Sequence, residues 1–330
     1  MDRSPSPEHH AAFACFGGTC AVHLSGIGPL GPAPRAIETA RLQLLAWHDR
    51  FSRFVPGSEL SRLNASAART VAVSPEMLLL ARATIEAGRA SGGLVDATVA
   101  GELDAAGYAA PLVGPGLDLA AALAAAPPRL PAGPDPRRRW ATIEVDPRAG
   151  TVTRPPGVAI DAGGLAKGLF ADLLADRLAG YGRFVVDCCG DLRLGGTRGA
   201  RREVRIAHPS GGIAHVFERA AGAVATSSIA RRSWTGPDGG PAHHLLDPAT
   251  GRPAFTGVVQ VSALAPTALE AERRSKAALL SGPDAAPDHL VHGGVLVLDD
   301  LTLRVVDPPA PRRRVTAAMR DGRLVLSDRA

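Results

Sequence analysis

The second half of this 330-residue chain is a succession of short β-strand patterns among which helical patterns are rare. The strand-like runs are RFVVDCC, EVRIAH, AHVFERA, GAVATS, VVQVSALA, GVLVLD and RLVLS, and the helix-like run among them is TALEAERRSKAALLSG. Parallel strands need a long crossover, usually a helix, between one strand and the next. Strands that follow one another without helices therefore predict an α+β fold with largely antiparallel sheets and packed helices.

Helical patterns are concentrated before this region. Apolar residues recur at helical spacing over residues 36–48, and Ser74 followed by Pro75 predicts a capped helix start. A further helix is predicted over GGLAKGLFADLLADRLAGYG, ended by Gly180, and the later helix is predicted to run from its Thr267 cap to Gly282. The alternating run WATIEVDPRAGTVTRP predicts a β-hairpin.

Composition along the chain predicts one main domain with two flanking segments. Residues 1–12 are polar and are expected to be a disordered tail, residues 13–305 to form the domain, and residues 306–330 to be a basic extension with a final strand. Within the domain, residues 111–136 are rich in Ala, Pro and Gly. They predict a surface insertion that is weakly helical around LDLAAALAAA.

Charge and composition exclude several classes of function. The net charge is only +5 and aromatic residues make up 4%, so basic stripes and stacking platforms for nucleic acid are lacking, and no nucleic-acid partner is expected. The sequence contains no stretch of about 18 uncharged apolar residues, so no membrane span is predicted. The four cysteines form no CxxC pair and the first residues lack the apolar core of a signal peptide. We therefore expect reduced thiols and a cytoplasmic location.

Two residue types that the chain rarely uses carry more information than the common ones. Lysine occurs only at Lys167 and Lys276, against 35 arginines (37 basic residues minus 2), and Asn64 is the single asparagine. A chain that supplies its surface cations as Arg has a reason to place a Lys, because the ammonium group is a compact point charge.

Several short motifs could form a ligand site. In AIDAGGLAKG, the carboxylate of Asp161 precedes two glycines and Lys167, which lies in the first turn of a helix, an arrangement suited to an anion. It is neither a Walker loop nor GxGxxG. FSRFVPGSELSRLN and SGGLVDATV are compatible with ligand loops and equally with simple capped turns. The histidine pair in HHLLDPATG is more often structural than catalytic.

Taken together and in order, the motifs resemble the ApbE family of FAD:protein FMN transferases. The resemblance runs from Gly17 to about Asp300 and rests on GGT, FSRFVPGSELSRLN, GGLVDATV, IDAGGLAKG, CGDLRLGG, ATSS, HHLLDPATG and the helix from Thr267 to Gly282. Both lysines and the single asparagine fall inside these motifs. The resemblance implies a T-fold-like architecture with an FAD cleft between lobes.

The family's activity follows from the resemblance as an expectation. Its members bind FAD as substrate and, with Mg²⁺, cleave the pyrophosphate, pass FMN to a threonine of a target protein and release AMP. Some members hydrolyse FAD instead. The alternatives for this chain are therefore an FAD pyrophosphatase or a non-catalytic FAD-binding protein of the same fold.

The resemblance also implies roles for individual residues. His244 is implied as a proton-transfer residue. Lys276 stands where the family has a Thr, and it is a second candidate catalytic residue because of its charge and not because of the resemblance. The implied metal-site residues are Gly164, Glu272 and Ser275. The implied FAD-binding residues are Gly17, Gly18, Phe54, Leu94, Val95, Asp96, Asp161, Lys167 and Leu246.

The sequence departs from the family pattern at the helix that normally presents an Asp and, four residues later, a Thr to the metal. Here Glu272 and Lys276 occupy these positions, in AERRSK. Lys276 has three interpretations: an ordinary ion pair with Glu272 on an exposed helix face, an ammonium in the metal position held by Glu272 and Asp161, or a side chain that moves aside when Mg²⁺ binds. An inward ammonium and Mg²⁺ would compete, since like charges repel strongly in a low-dielectric site.

Overall fold

The computed structural model describes residues 7–308, 314–320 and 323–329. Its centre is an eight-stranded sheet in which each strand pairs antiparallel with the next one along the chain. The sequence prediction of an antiparallel α+β fold is thus confirmed. The strands are β1 (Glu8–Cys15), β2 (Gly18–Ser25), β3 (Arg183–Cys188), β4 (Asp191–Gly195), β5 (Gly222–Ser228), β6 (Val258–Ala265), β7 (Gly294–Leu298) and β8 (Leu303–Val306).

Most helices belong to one long excursion between β2 and β3, and the last lies between β6 and β7. Each helix predicted from the sequence is present. None of the helices in the described part of the chain has the length and apolarity needed to cross a membrane. The helices are α1 (Ala33–Phe51), α2 (Glu59–Ala65), α3 (Pro75–Ala90), α4 (Ala100–Ala105), α5 (Leu119–Ala125), α6 (Ala166–Leu178) and α7 (Ala268–His289).

Short strands and single turns complete the fold. The predicted hairpin pairs Glu144–Asp146 with Thr151–Thr153, which also pairs with Thr70–Ala72. The 3-10 turns are Arg139–Thr142 and Ala162–Gly164. The other two-stranded pairs are Ile27–Gly28 with Gly31–Pro32, Arg202–Ala207 with Ile213–Arg219, Ser233–Thr235 with Pro241–His243, Leu246–Asp247 with Arg252–Pro253, and Arg314–Arg320 with Arg323–Arg329.

The two faces of the large sheet are covered differently. Helices α1, α6 and α7 pack on one face, where Phe170 of α6 stacks on Trp47 of α1 at 4.9 Å between ring centroids. The opposite face carries Val185, Leu194 and Val224, which form a smaller core with residues of the hairpin 202–219. The helical face is therefore the thicker layer, and the functional cleft described below opens in it.

One of the sequence expectations at the chain's ends needs adjustment. The expectation of disorder is wrong for residues 8–12, because β1 begins at Glu8 and its whole length pairs with β2, which satisfies its backbone hydrogen bonds. Residues 1–6 of that predicted tail lie outside the described residues. In the C-terminal segment, the expected final strand is present as Arg323–Arg329.

Helix α7 confirms the predicted break at Gly282. This residue has φ 81° and ψ 172°, which are not helical angles, and Pro283 starts a further turn that continues to His289. Glycine is suited to this conformation because it has no Cβ. The regular part of α7, which carries Glu272 and Lys276, therefore ends at the predicted point.

Candidate active site

A cleft of about 550 Å³ opens between the helical layer and the segment that follows β5. This volume is typical of a small-molecule site. Its walls come from the β1–β2 turn, the end of α1, the residues after α4, the start of α6, residues 231–234, residues 244–245 and α7. The predicted insertion 111–136 contributes residues 111–117 to this wall, while its α5 forms the predicted helical turns.

The cleft is lined by many more cationic side chains than anionic ones. Among the described residues that line the cleft, Asp161 is the one with a carboxylate side chain. The cations that line it are Arg53, Lys167, Arg231, Arg232 and Lys276. Fixed positive charge in a partly desolvated cleft concentrates anionic ligands. The lining therefore favours a phosphate-bearing or carboxylate-bearing ligand.

A buried charge network forms the base of the cleft, where α6 and α7 meet. Lys276 Nζ lies 2.9 Å from Oε1 of Glu272, and the Lys167 Nζ lies 3.7 Å from the same oxygen. Lys167 also forms an ion pair with Asp191 at the start of β4. The second oxygen of Glu272 accepts a hydrogen bond from the N–H of Gly168, at 2.8 Å. Each carboxylate of the network therefore has a cationic partner, as buried charges require.

The close approach of α6 to α7 depends on Gly168. A Cβ at this position would lie 2.7 Å from the carbonyl group of Ala268 in α7. Because glycine has no side chain here, the first turn of α6 can donate its N–H directly to Glu272. The sequence motif GGLAKG thus supplies both a lysine and the close packing that brings this lysine to Glu272.

Burial and neighbouring charges shift the pKa values of the network. Burial lowers the pKa of Lys167, but the carboxylates of Asp191 and Glu272 outweigh burial and leave that pKa raised, so Lys167 is a cation. Burial raises the pKa of Glu272, and the ammonium groups of Lys276 and Lys167 oppose that rise.

Asp161 is positioned by the single asparagine of the chain. The Asn64 amide bonds both backbone groups of Ile160: Nδ2 donates to the carbonyl oxygen and Oδ1 accepts from the N–H, each at 2.8 Å. The Asp161 carboxylate then pairs with Arg53, with 3.4 Å between Nε and Oδ1. Burial raises the pKa of Asp161 and the Arg53 guanidinium opposes this. Asn64 thus connects α2 to the backbone segment that carries Asp161 into the cleft.

The two adjacent histidines have different surroundings. His243 is buried, its ring packs against Phe255, and burial lowers its pKa to about 3. His244 lines the cleft, and its Nδ1 lies 3.4 Å from the carbonyl oxygen of Arg232. Burial and the neighbouring Arg232 keep the pKa of His244 well below its ordinary value. Since a carbonyl can only accept, Nδ1 is the donor and Nε2 carries the lone pair.

Aromatic rings and one arginine form the mouth of the cleft. The Arg53 guanidinium lies 4.4 Å from the ring centroid of Phe54 and 4.7 Å from that of Tyr108. Tyr108 also stacks on Trp234 at 5.2 Å, and the Trp234 indole N–H donates to the carbonyl of Ala106 at 2.8 Å. Asp104 completes the pairing of Arg53. The mouth thus offers π surfaces in a fixed arrangement.

Half of the site residues predicted from the sequence line the cleft. Glu272 lies directly beneath its lining, and the Ser275 hydroxyl is buried 2.8 Å from that of Ser227. The predicted residues that line the cleft are Gly17, Phe54, Asp161, Gly164, Lys167, His244 and Lys276. Those that do not line it are Gly18, Leu94, Val95, Asp96 and Leu246.

The residues outside the lining have other contacts. The segment of Leu94, Val95 and Asp96 continues to Ala97, whose carbonyl accepts from the N–H of Asp161 at 2.7 Å, so it lies behind the wall. Oδ1 of Asp96 accepts from Thr98, whereas its buried Oδ2 has no hydrogen-bond partner among the described residues. Their roles toward a ligand stay predictions.

Sequence reasoning found Phe54 but missed the arginines of the cleft and the rings of Tyr108 and Trp234. Arg232 reaches across the cleft and donates to the carbonyl of Phe16 at 2.7 Å, and Arg53 joins the mouth to Asp161. Arginine is the common cation of this chain, so these positions carry no compositional signal. The pairs Arg53–Phe54 and Arg232–Trp234, each a cation next to or near an aromatic residue, were the available signals.

The contacts and burial of Lys276 support part of one of its three interpretations and exclude another. Its pair with Glu272 is present, but only 11% of the Lys276 side chain and 1% of the Glu272 side chain are exposed, so the exposed ion pair is wrong. Glu272 holds the ammonium as predicted. Asp161 pairs instead with Arg53, so its predicted hold on Lys276 is not seen.

The residues at the base do not fit a divalent metal ion. Both oxygens of Glu272 are engaged, and the Ser275 hydroxyl bonds to Ser227 and to the Glu272 carbonyl. In the part of the chain that the structure describes, no three His, Cys, Asp or Glu side chains are grouped to hold a metal. A divalent ion about 4 Å from an ammonium would be repelled by about 8 kcal/mol at an effective dielectric constant of about 20.

These features define a class: an α+β protein with an antiparallel meander and a cation-lined cleft of nucleotide size, with a neutral histidine beside buried lysines. The ApbE family model matches residues 16–297, and the chain belongs to this family. The FAD:protein FMN transferase of Vibrio cholerae serotype O1 is 26% identical over 72% of this chain and 70% of its own. That of Escherichia coli K12 is 29% identical over 43% of this chain and 42% of its own.

Solved structures agree on the fold. The ApbE protein of Thermotoga maritima superposes with a TM-score of 0.74 at 22% identity and covers 91% of this chain and 97% of its own. The flavin transferase ApbE of Vibrio cholerae has a TM-score of 0.70 at 20% identity, over 93% and 98% of the two chains. The family fold predicted from the motifs is thereby confirmed.

Proposed function

We propose that this protein is an FAD:protein FMN transferase, which cleaves the pyrophosphate of FAD and passes FMN to a threonine of a target protein with release of AMP. Membership of the ApbE family and the shared name of its relatives support the proposal. The observation that carries it is the base of the cleft, where a neutral His244 lies in the same lining as Lys167 and Lys276.

Binding of FAD matches the two ends of the cleft. The diphosphate is an anion and pairs with the cations at the base, Lys167, Lys276 and Arg232. The flavin ring is large and flat and suits the π surfaces of Phe54, Tyr108 and Trp234 at the mouth. The ligand would therefore lie along the cleft with its charged part on α6 and α7.

The transfer step needs a proton acceptor for the incoming hydroxyl. Nε2 of His244 carries a lone pair and takes the threonine hydroxyl proton as the threonine oxygen bonds to the FMN phosphorus. The bond from that phosphorus to the bridging oxygen breaks, and AMP leaves with the electron pair. Because the base residues do not fit Mg²⁺, no step is assigned to a metal ion here.

The test replaces His244 with Gln and measures FMN attached to a threonine-containing acceptor peptide, free FMN and AMP. We expect kcat to fall by about 10²- to 10⁴-fold while FAD binding is kept. His208→Gln, a change at a half-buried histidine outside the cleft, is the matched control and should leave both values unchanged.

The product distribution separates the candidate functions. Transfer to the peptide supports the proposal, free FMN with AMP and no transfer would mean an FAD pyrophosphatase, and bound but intact FAD would mean a non-catalytic flavin-binding protein.

Because the pKa of His244 is lowered, the neutral base persists as pH falls, and activity should be lost only below about pH 6.5. Activity that is already lost above about pH 6.5, as the pH is lowered from neutral, would contradict the role of His244.

Other parts of the proposal rest on the sequence. The identity of the acceptor residue as threonine, the cytoplasmic location and the lack of a nucleic-acid partner remain predictions. So do the FAD contacts of Gly17, Gly18, Leu94, Val95, Asp96, Asp161 and Leu246.

A further inference from the structure

The chain's two lysines lie in different helices and converge on one carboxylate. Oε1 of Glu272 is 2.9 Å from Nζ of Lys276 and 3.7 Å from that of Lys167. Both lysine side chains line the cleft, although only 11% and 14% of their surfaces are exposed. A chain that uses arginine for its other basic side chains thus places both ammonium groups at one buried point that faces the ligand.

The oxygen atoms beside this point already have partners. Glu272 accepts from Lys276 through Oε1 and from the Gly168 N–H through Oε2. The hydroxyl of Ser275 bonds to Ser227 and to the carbonyl of Glu272. Mg²⁺ requires near-octahedral oxygen ligation and would have to displace the ammonium to reach Glu272. The position expected for a metal is therefore occupied by a cation of the chain itself.

We propose that, in the transferase reaction proposed above, the Lys276 ammonium, with Lys167 beside it, neutralises the diphosphate of FAD in place of a divalent metal ion. The inference rests on that proposed function. Lys276 thereby acts as a catalytic residue that touches the reacting phosphates, and Glu272 acts as a positioning residue that fixes the ammonium one helical turn away.

An ammonium can perform this role without a change of protonation. Phosphoryl transfer depends mainly on positioning and on neutralising the charge that develops on the phosphate oxygens. Nζ–H groups supply hydrogen bonds and a point charge to the leaving AMP oxygen, and the proton stays on nitrogen. Arginine would not serve equally, since its charge is spread over a planar group, whereas the ammonium is a compact point charge.

The first measurement compares the rates of FAD cleavage and FMN transfer in EDTA and in Mg²⁺. For the wild type we expect the two rates to agree within about twofold, since the cation is built into the chain. Lys276→Met keeps an unbranched side chain that is one atom shorter and removes its charge, and should lower kcat by about 100-fold with a smaller change in KM. Arg273→Met, at a neighbouring position of α7 outside the cleft, is the control and should retain the wild-type rate.

A second variant protects the test against misfolding. Lys276→Arg keeps the positive charge beside Glu272, and near-UV circular dichroism verifies the fold of each variant. We expect Lys276→Arg to retain metal-independent activity above that of Lys276→Met. Equal loss in both folded variants would contradict a role for the positive charge at this position, and full activity in Lys276→Met would overturn the inference.

Metal binding provides a readout that does not depend on turnover. Mn²⁺ is titrated into the protein with FAD bound, and free Mn²⁺ is followed by electron paramagnetic resonance. We expect the wild type to leave Mn²⁺ free and Lys276→Thr, which removes the ammonium, to bind it. A wild type that binds Mn²⁺ and loses its activity in EDTA would overturn the inference and leave the transferase function standing. If FAD is never cleaved, the proposed function fails, and Mn²⁺ bound by the wild type would still overturn the inference.

Discussion

The base and the mouth of the cleft hold their cations in different ways. At the base, Lys276 faces Glu272, a carboxylate that is itself buried. At the mouth, Arg53 lies between the rings of Phe54 and Tyr108 and pairs with Asp104, whose side chain is 53% exposed. Removal of Glu272 takes away the carboxylate that Lys276 and Lys167 share, whereas Arg53, although only 10% exposed, keeps Asp161 as a second carboxylate partner when Asp104 is removed.

This difference separates chemistry from recognition. The base network is closed, with each group fixed by the next, so its geometry is preorganised for a reacting phosphate. The mouth presents ring faces that contribute through area and cation–π contact. Changes at the base should therefore affect stability and kcat, and changes at the mouth should affect the binding of the flavin.

The largest effect is expected for Glu272→Gln. It leaves the ammonium groups of Lys276 and Lys167 without their shared buried charge, and should lower the free energy of unfolding by about 3–5 kcal/mol. Urea denaturation at pH 7 measures this. Glu270→Gln, also on α7 but paired with Arg274 at a partly exposed site, should cost about 0–1 kcal/mol. If the two variants lose the same free energy of unfolding, the buried pair at the base is worth no more than the partly exposed pair.

An intermediate effect is expected for Gly168→Ala. The added Cβ would lie 2.7 Å from the backbone of Ala268, so α6 and α7 must separate, at a cost of about 1–3 kcal/mol in unfolding free energy. The same movement lengthens the contact of Lys167 with Glu272 and should lower kcat. As a control, Gly101→Ala in α4 meets no atom within 4 Å and should stabilise the protein by about 0.5–1 kcal/mol. A Gly168→Ala protein with wild-type stability and kcat would show that the close helix contact is not required.

The smallest effect is expected at the mouth, for Tyr108→Ala. Loss of the ring removes its contacts with Arg53 and Trp234, worth about 0.5–1.5 kcal/mol, and should raise the KM for FAD by about two- to tenfold without changing kcat. Tyr108→Phe keeps the ring and serves as the control. A fall in kcat that matches the rise in KM would place Tyr108 in the chemistry rather than in binding.

Much of the fold was readable because its signals are local. The caps at Ser74 and Thr267 accept from the first turns of α3 and α7 as predicted, and Gly282 breaks α7. The antiparallel sheet followed from strands that succeed one another without helices. Disorder at residues 8–12 was predicted wrongly because polarity gives no indication that a neighbouring strand will pair with a segment.

The candidate site was readable only in part, because its contacts join residues far apart in the chain. Asn64 was informative by its rarity, but no local pattern shows that it clamps Ile160. His243 and His244 are neighbours in sequence, and only the packing against Phe255 assigns the first to the core. The roles of Arg53 and Arg232 were hidden by the abundance of arginine.

The sequence by itself determined the local helices and strands, carried the motifs of the family, and marked two positions by placing lysine there in an arginine-rich chain. The tertiary structure decided that both lysines meet at Glu272, that the pair is buried, and that its oxygens are already engaged. The physical reason is that charge pairing depends on distance and on burial. Both quantities are set by the packing of α6 against α7, which no single segment of the chain encodes.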